Sequence, residues 1–180
     1  MAYDDYYDDD ERGNFFGALL MMLIGGIIAT IAFDAYGQYY SQVFGYPELA
    51  PISQASDTLT KLLGPELEPI SGVLAGWNNA SIAQLAHFVA GVVACPLGYV
   101  LLARPIARTI IPSIPWWVLG AIYGAVIWAF SHYVIAHLVL GSPAFLIGGN
   151  GLPPGELSAI AGHIVYGLVL AAVLRRFGRA

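Results

Sequence analysis

Four long apolar runs, separated by stretches rich in polar residues, glycine and proline, set the pattern of this chain. The runs cover residues 15–36, 82–103, 116–140 and 157–174. Each has roughly the 20 mostly apolar residues that an α-helix needs to cross the hydrocarbon layer of a membrane. The pattern therefore predicts an all-α integral membrane protein with four transmembrane helices.

The connections between the runs differ in length and character. The connection over residues 37–81 contains several prolines, which interrupt regular structure, and the spacing of its apolar residues predicts a short amphipathic helix over 53–63. Its first residues, 38–44, can also be interpreted as a continuation of the first helix beyond the membrane. The connection over 141–155 is rich in glycine and proline and is predicted to be irregular.

The basic residues predict the orientation of the four helices, because short cytoplasmic segments carry an excess of Lys and Arg. Six of the seven basic residues fall on one side of the predicted bundle: Arg12, Arg104, Arg108, Arg175, Arg176 and Arg179. The opposite side has only Lys61. We therefore expect a multi-pass protein with both termini in the cytoplasm.

Composition separates a short tail from the membrane domain. The chain is 58% hydrophobic and only 11% charged, whereas soluble domains have about 25% charged residues. Six of its twelve acidic residues lie between Asp4 and Glu11. Residues 1–14 are thus predicted to be a disordered, solvated tail or a docking tail for a basic partner, and residues 15–180 the membrane domain. Nothing in the sequence indicates nucleic-acid binding, which needs a basic surface.

The second and fourth runs resemble each other at a constant offset. The matching positions are Ala83, His87, Val89, Gly91 and Val93 in the second run, and Ala159, His163, Val165, Gly167 and Val169 in the fourth. The first and third runs match more weakly, through the equal intervals from Gly26 to Asp34 and from Gly124 to His132. The sequence thus predicts two related helix hairpins, an arrangement that recurs in membrane proteins.

Each predicted helix carries an ionisable side chain in the half of the membrane opposite the arginines. These residues are Asp34, His87, His132 and His163. Because ionisable groups inside a membrane are costly and usually face the bundle interior, we expect one polar cluster there. His137 lies about 140° around the helix from His132 and is expected to face the membrane interface.

His87 and His163 each have an alanine four residues before and a glycine four residues after on the same helix face. The space beside these imidazoles could admit a haem with the two histidines as axial ligands. A transition metal could instead be bound by His87, His132, His163 and Asp34, because imidazole suits zinc, copper and iron. The same small residues also allow close helix packing, with the histidines bonding only within the protein. A proton or solute pathway is a further alternative.

Pro96 lies inside the second predicted helix. Proline has no N–H to donate to the carbonyl four residues earlier, and it usually kinks a helix. The sequence therefore predicts a kink at this position.

One set of positions in the second half of the chain forms a recognisable pattern: His87, Gly98, Tyr99, Trp117, Gly120, His132, the stretch 157–165 and the pair Arg175 and Arg176. Through these residues, segment 87–176 resembles the YagU-like family of small bacterial inner-membrane proteins. The resemblance implies a location in the bacterial inner membrane and a bundle of several helices. It implies no particular chemistry.

The chain contains no nucleotide-binding glycine loop, no nucleophile with a nearby base and no HExxH motif, so it is not expected to be an enzyme. We expect an accessory or interaction subunit of a larger membrane complex, which contacts the lipid bilayer and either other subunits or copies of itself. The first alternative is a haem- or metal-binding redox protein, and the second is a small transporter or channel.

Overall fold

The computed structural model describes residues 15–43, 79–139, 141 and 154–177, and it is helical almost throughout. Four of its helices are long and apolar enough to cross a membrane, as the sequence predicts. The acidic tail, the predicted amphipathic helix over 53–63 and most of the 141–155 connection lie outside the described residues.

The four helices are named α1 to α4 in chain order. Helix α1 covers 15–43 and consists of Phe15–Ala35, the π-helical turn Tyr36–Tyr40 and Ser41–Val43. Helix α2 covers 79–110. It consists of three α-helical segments, Asn79–Val89, Cys95–Gly98 and Arg104–Ile110, which are joined by two π-helical segments, Ala90–Ala94 and Tyr99–Ala103. Helix α3 covers 116–139 and consists of Trp116–Ala129 and the π-helical Phe130–Val139. Helix α4 is Pro154–Phe177.

Three helices are longer than their apolar runs, and one of them, α4, extends three residues beyond its run at each end. Helix α1 continues to Val43, so the interpretation of residues 38–44 as a continuation of the first helix is confirmed as far as 43, and the connection does not begin at 37. Helix α2 begins at Asn79 and continues through Arg104 to Ile110. The reason is that a charged side chain ends an apolar run without ending the backbone hydrogen bonds, and the N–H of Arg104 still donates to the carbonyl of Tyr99.

Helix α4 packs against both α1 and α3, and α2 packs mainly against the middle of α1. The core residues come from all four helices: Ala29, Phe33, Tyr99, Leu119, Tyr123, Tyr166, Leu170, Ala171 and Leu174. Gly120, Gly124 and Trp128 of α3 lie against Gly167, His163 and Glu156 of α4 in that order, so these two helices are antiparallel. We call the end of the bundle near Asp34 and Glu156 the carboxylate end, and the end near Arg104, Arg108 and Arg175 the arginine end.

Glycines bring the helix backbones into direct contact. A Cβ atom on Gly124 of α3 would lie 2.2 Å from the carbonyl oxygen of His163 on α4, and one on Gly167 would lie 2.1 Å from the carbonyl oxygen of Gly120. On the other side of the bundle, a Cβ on Gly26 would lie 2.5 Å from the carbonyl oxygen of Val92. Only glycine permits such close backbone approach, as in many membrane helix pairs.

Helix α2 passes through Pro96 by means of a π-helical turn. The N–H of Cys95 donates to the carbonyl of Ala90, five residues earlier, and Pro96 has no N–H. The carbonyl of Gly91 therefore lacks both donors that a helix would normally provide. The hydroxyl of Tyr166 on α4 donates to it instead, at 2.5 Å. The backbone hydrogen bonds are thus rearranged at Pro96, and a side chain from another helix supplies the missing donor; the kink itself stays a prediction.

Candidate functional site

Asp34 of α1 and His87 of α2 form a polar pair near the carboxylate end. The Nε2 atom of His87 lies 2.9 Å from Oδ1 of Asp34, and this is an ion pair whenever the imidazole is protonated. The carboxylate is 33% exposed and the imidazole 13%. The pair bridges two helices and is open to solvent on the aspartate side.

His163 of α4 lies beside this pair. Its Nδ1 atom donates to the carbonyl of Ala159 at 2.7 Å, which leaves Nε2 as the acceptor of a neutral ring. The ring of Phe33 meets the imidazole of His163 edge-on at 4.9 Å and that of His87 at 6.2 Å. One phenylalanine therefore contacts both histidines of the predicted repeat.

A second polar group joins α3 to α4. The indole N–H of Trp128 donates to Oε2 of Glu156 at 3.1 Å, and Nδ1 of His132 lies 3.3 Å from the same oxygen. The imidazole of His132 is buried, as expected, and stacks on the indole of Trp128 at 5.8 Å with the planes 15° apart. Glu156 lies in the first turn of α4, where the helix dipole favours a carboxylate.

Sequence reasoning missed Glu156. It lies between the connection over 141–155 and the apolar run that begins at 157, so it was assigned to neither. The available signal was that an acidic residue in the first turn of a membrane helix is well placed to accept hydrogen bonds from the neighbouring helix. The four predicted residues therefore do not form a single group: Asp34 pairs with His87, while His132 pairs with Glu156.

The charged groups mark two levels about one hydrocarbon thickness apart. Along α2, His87 and Arg104 are 17 residues apart, or about 26 Å at 1.5 Å per residue. Along α4, Glu156 and Arg175 are 19 residues apart, or about 29 Å. A bilayer core is roughly 30 Å thick, so if the four helices cross a membrane, both His–carboxylate pairs would lie near the boundary of that core. His163 is deeper, about 18 Å from the level of Arg175.

The predicted metal ligands Asp34, His87, His132 and His163 do not form one compact cluster, and a metal site there stays a prediction. Among the residues that the structure describes, no three His, Cys, Asp or Glu side chains are close enough together to hold a metal ion. His132 belongs to the Glu156 group, and Nε2 of His87 is already bonded to Asp34.

The residues do not fit a haem either. A Cβ on Gly91 would lie 2.4 Å from Oγ1 of Thr30, and one on Gly167 would touch the backbone of Gly120. The space beside each glycine is therefore filled by a neighbouring helix, which is the close-packing interpretation of these small residues.

No family model, no curated protein and no solved structure matches this chain. The resemblance to the YagU-like family therefore remains a prediction.

Proposed function

We propose that this protein is an accessory or interaction subunit of a larger complex in the bacterial inner membrane, with both termini in the cytoplasm. The observation that carries the proposal is the high exposure of the outward face of α2. In the apolar stretch of this helix 17% of the residues are buried, against 33–39% in the other three candidate spans. Helix α2 is thus the least covered by the described part of its own chain.

The outward face of α2 also differs in its side chains. Ala90 and Ala94 are exposed near the middle of the helix. The exposed middle positions of α1 and α3 carry bulky side chains instead, such as Ile28 and Val126. Bulky apolar residues suit contact with lipid chains, while small residues allow another helix to approach closely. The face around Ala90 and Ala94 is therefore the best candidate for a lateral contact with another membrane helix.

The placement of charge supports the proposed orientation. Arg104, Arg108 and Arg175 lie at one end of the bundle, and an excess of such residues is typical of the cytoplasmic side. A reporter that is active only in the periplasm, fused at the C-terminus, tests this. It should be inactive, and strong reporter activity would contradict the orientation.

The subunit role is tested by purification from native membranes in mild detergent. The wild-type protein is expected to migrate as a defined larger assembly. The double variant Ala90→Leu/Ala94→Leu, which adds bulk to the α2 face, is expected to lose that assembly while keeping its own thermal stability. Val126→Phe adds bulk to an exposed position of α3 and serves as the control, because it should leave the assembly intact. A wild-type protein that is monomeric under these conditions contradicts the proposal.

A small proton or solute pathway is a second candidate, favoured by one observation. Polar side chains follow one another toward the arginine end: His163, then Tyr166 one turn further along α4, then Tyr123, whose hydroxyl donates to the carbonyl of Cys95 on α2. Flux into proteoliposomes that hold the purified protein tests this candidate. Flux should fall to the level of protein-free vesicles in His163→Ala, and a wild type that shows no flux above that level rules it out.

A further inference from the structure

Asp34 belongs to a row of outward-facing residues on α1. Side chains three or four positions apart share one face of a helix. The row with that spacing consists of Ile27, Ile31, Asp34 and Gln38. Ile27 is 42% exposed and Ile31 57%, and Gln38 is also exposed. In a membrane-crossing bundle, the 33% exposed carboxylate of Asp34 would therefore border the lipid side of α1, whereas ionisable groups usually face the bundle interior.

His87 satisfies only part of this carboxylate. Because a carboxylate accepts and does not donate, the Nε2–H of the imidazole donates to Oδ1 of Asp34, at 2.9 Å. An ionised carboxylate can accept about four hydrogen bonds on its two oxygens. A neutral imidazole adds no positive charge, so the pair then keeps the whole negative charge of Asp34. Such a charge is costly beside lipid unless a cation pairs with it.

The neighbouring face of α2 is open beside this pair. Ala90 lies three residues after His87, and Ala94 four residues after Ala90, so the two exposed alanines follow the imidazole along one side of the helix. Helix α2 is also the candidate span that the described part of the chain covers least. A further helix that lay along this side of α2 would pass the Asp34 carboxylate.

The charge pattern disfavours a second copy of this chain as that further helix. In the same membrane orientation, the copy would bring its own Asp34 to the level of the first, and like charges placed together across an interface repel. The arginines of the described helices lie at the other level, since Arg104 is about 26 Å from His87 along α2. The cation that fits beside Asp34 therefore comes from a different protein.

We propose that the side of the bundle formed by α1 and α2 binds a transmembrane helix of another protein, and that a lysine or arginine of this helix pairs with Asp34. The inference rests on the proposed function as a subunit and names the chemistry of the partner. The bond from His87 holds the carboxylate in place, and the basic side chain donates to its remaining lone pairs. The small side chains of Ala90 and Ala94 let the partner helix approach closely.

The test uses the full-length protein, extracted from its native membranes in mild detergent, and measures the fraction that migrates in the larger assembly. Asp34→Asn keeps the shape of the side chain and removes its charge. It should lower that fraction about tenfold, which is the scale of a polar contact between membrane helices. Asp34→Glu keeps the charge and should retain most of the assembly, which separates loss of pairing from loss of folding. Lys61→Gln removes a positive charge of this chain between α1 and α2 in the sequence, and it should leave the assembly unchanged.

A crosslink identifies the partner directly. The photoreactive residue benzoylphenylalanine, placed at Ile31 one turn from Asp34, should capture an apolar helix that contains a lysine or arginine. The same probe at the exposed Val126 of α3 should not capture that peptide. A wild-type protein that is monomeric contradicts both the subunit role and this inference.

Three other outcomes overturn this inference and leave the subunit role standing. The first is an assembly that survives Asp34→Asn. The second is an assembly that Lys61→Gln disrupts as strongly as Asp34→Asn does, because the cation would then belong to this chain. The third is a crosslinked peptide that comes from a second copy of this chain or that has no basic residue.

Discussion

Gly124 provides the sharpest test of how the bundle is held together. A Cβ added there would lie 2.2 Å from the carbonyl oxygen of His163 and 2.7 Å from the Cα of Ile164. Real Cβ contacts do not fall below 3.0 Å, so α3 and α4 must separate by about 0.8 Å. Both obstructing groups are backbone, and no side-chain rotation can relieve the clash. Overpacking of this kind costs about 1–3 kcal/mol, and the widened interface also loses dispersion contacts.

Gly25→Ala is the matched control. Its Cβ would lie 3.4 Å from side-chain atoms of Leu170 and Leu174, which is an acceptable distance. Alanine is favoured over glycine in a helix by about 0.5–1 kcal/mol, so this variant should be as stable as the wild type or slightly more so. We expect Gly124→Ala to lose about 2 kcal/mol relative to the wild type. The assay is reversible unfolding in mixed detergent and SDS micelles, followed by tryptophan fluorescence. Equal stability of the two alanine variants would refute the close contact between α3 and α4.

Three other side chains give further predictions by the same unfolding assay. Tyr166→Phe should lower the free energy of unfolding by about 1–2 kcal/mol, because the carbonyl of Gly91 then has no hydrogen-bond donor in an apolar surrounding. An unchanged free energy of unfolding would contradict the proposed hydrogen bond from the Tyr166 hydroxyl. A double-mutant cycle of Asp34→Ala and His87→Ala should give a coupling free energy of about 0.5–2 kcal/mol, and additive effects would show that the pair does not interact. His163→Leu should be no less stable than the wild type, because the hydrogen bond that the imidazole donates goes to the backbone of its own helix; a loss above about 1 kcal/mol would assign the histidine to packing.

Apolar run length determined most of what the sequence predicted about the fold. A run of about 20 apolar residues has few alternatives to a membrane-crossing helix, and all four predicted helices are present. The helix ends were harder to predict. Helix α2 continues past Arg104 because its backbone N–H groups still donate to carbonyls of the preceding turn, although the apolar run has ended. Hydropathy reports the environment of side chains, while helix ends depend on backbone hydrogen bonds.

The candidate site was predicted only in part, for a different reason. The burial of His132 could be predicted, because it was inferred from the spacing of His132 and His137 along one helix, and that spacing can be read from the sequence. Its pairing with Glu156 depends on the relative rotation and axial position of α3 and α4, which the Gly124 contact sets. The role of Gly91 shows the same limit: small residues indicate available space, but only the packing shows that Thr30 fills it.

The depth of each polar group in the bundle helps to distinguish residues that stabilise the fold from residues that are candidates for function. Asp34, His87 and Glu156 each have a partner on another helix, and in a membrane-crossing bundle they would lie near the boundary of the apolar layer, where water lowers the cost of a charge. His163 lies about 10 Å deeper than Glu156 along α4 and is bonded through Nδ1 to its own backbone. That bond links no two helices, so it does not explain why a polar ring is placed among Phe33 and the core. A buried polar ring whose hydrogen bond joins no second helix is the first place to look for activity, because an apolar residue of similar size is expected to give at least the same stability.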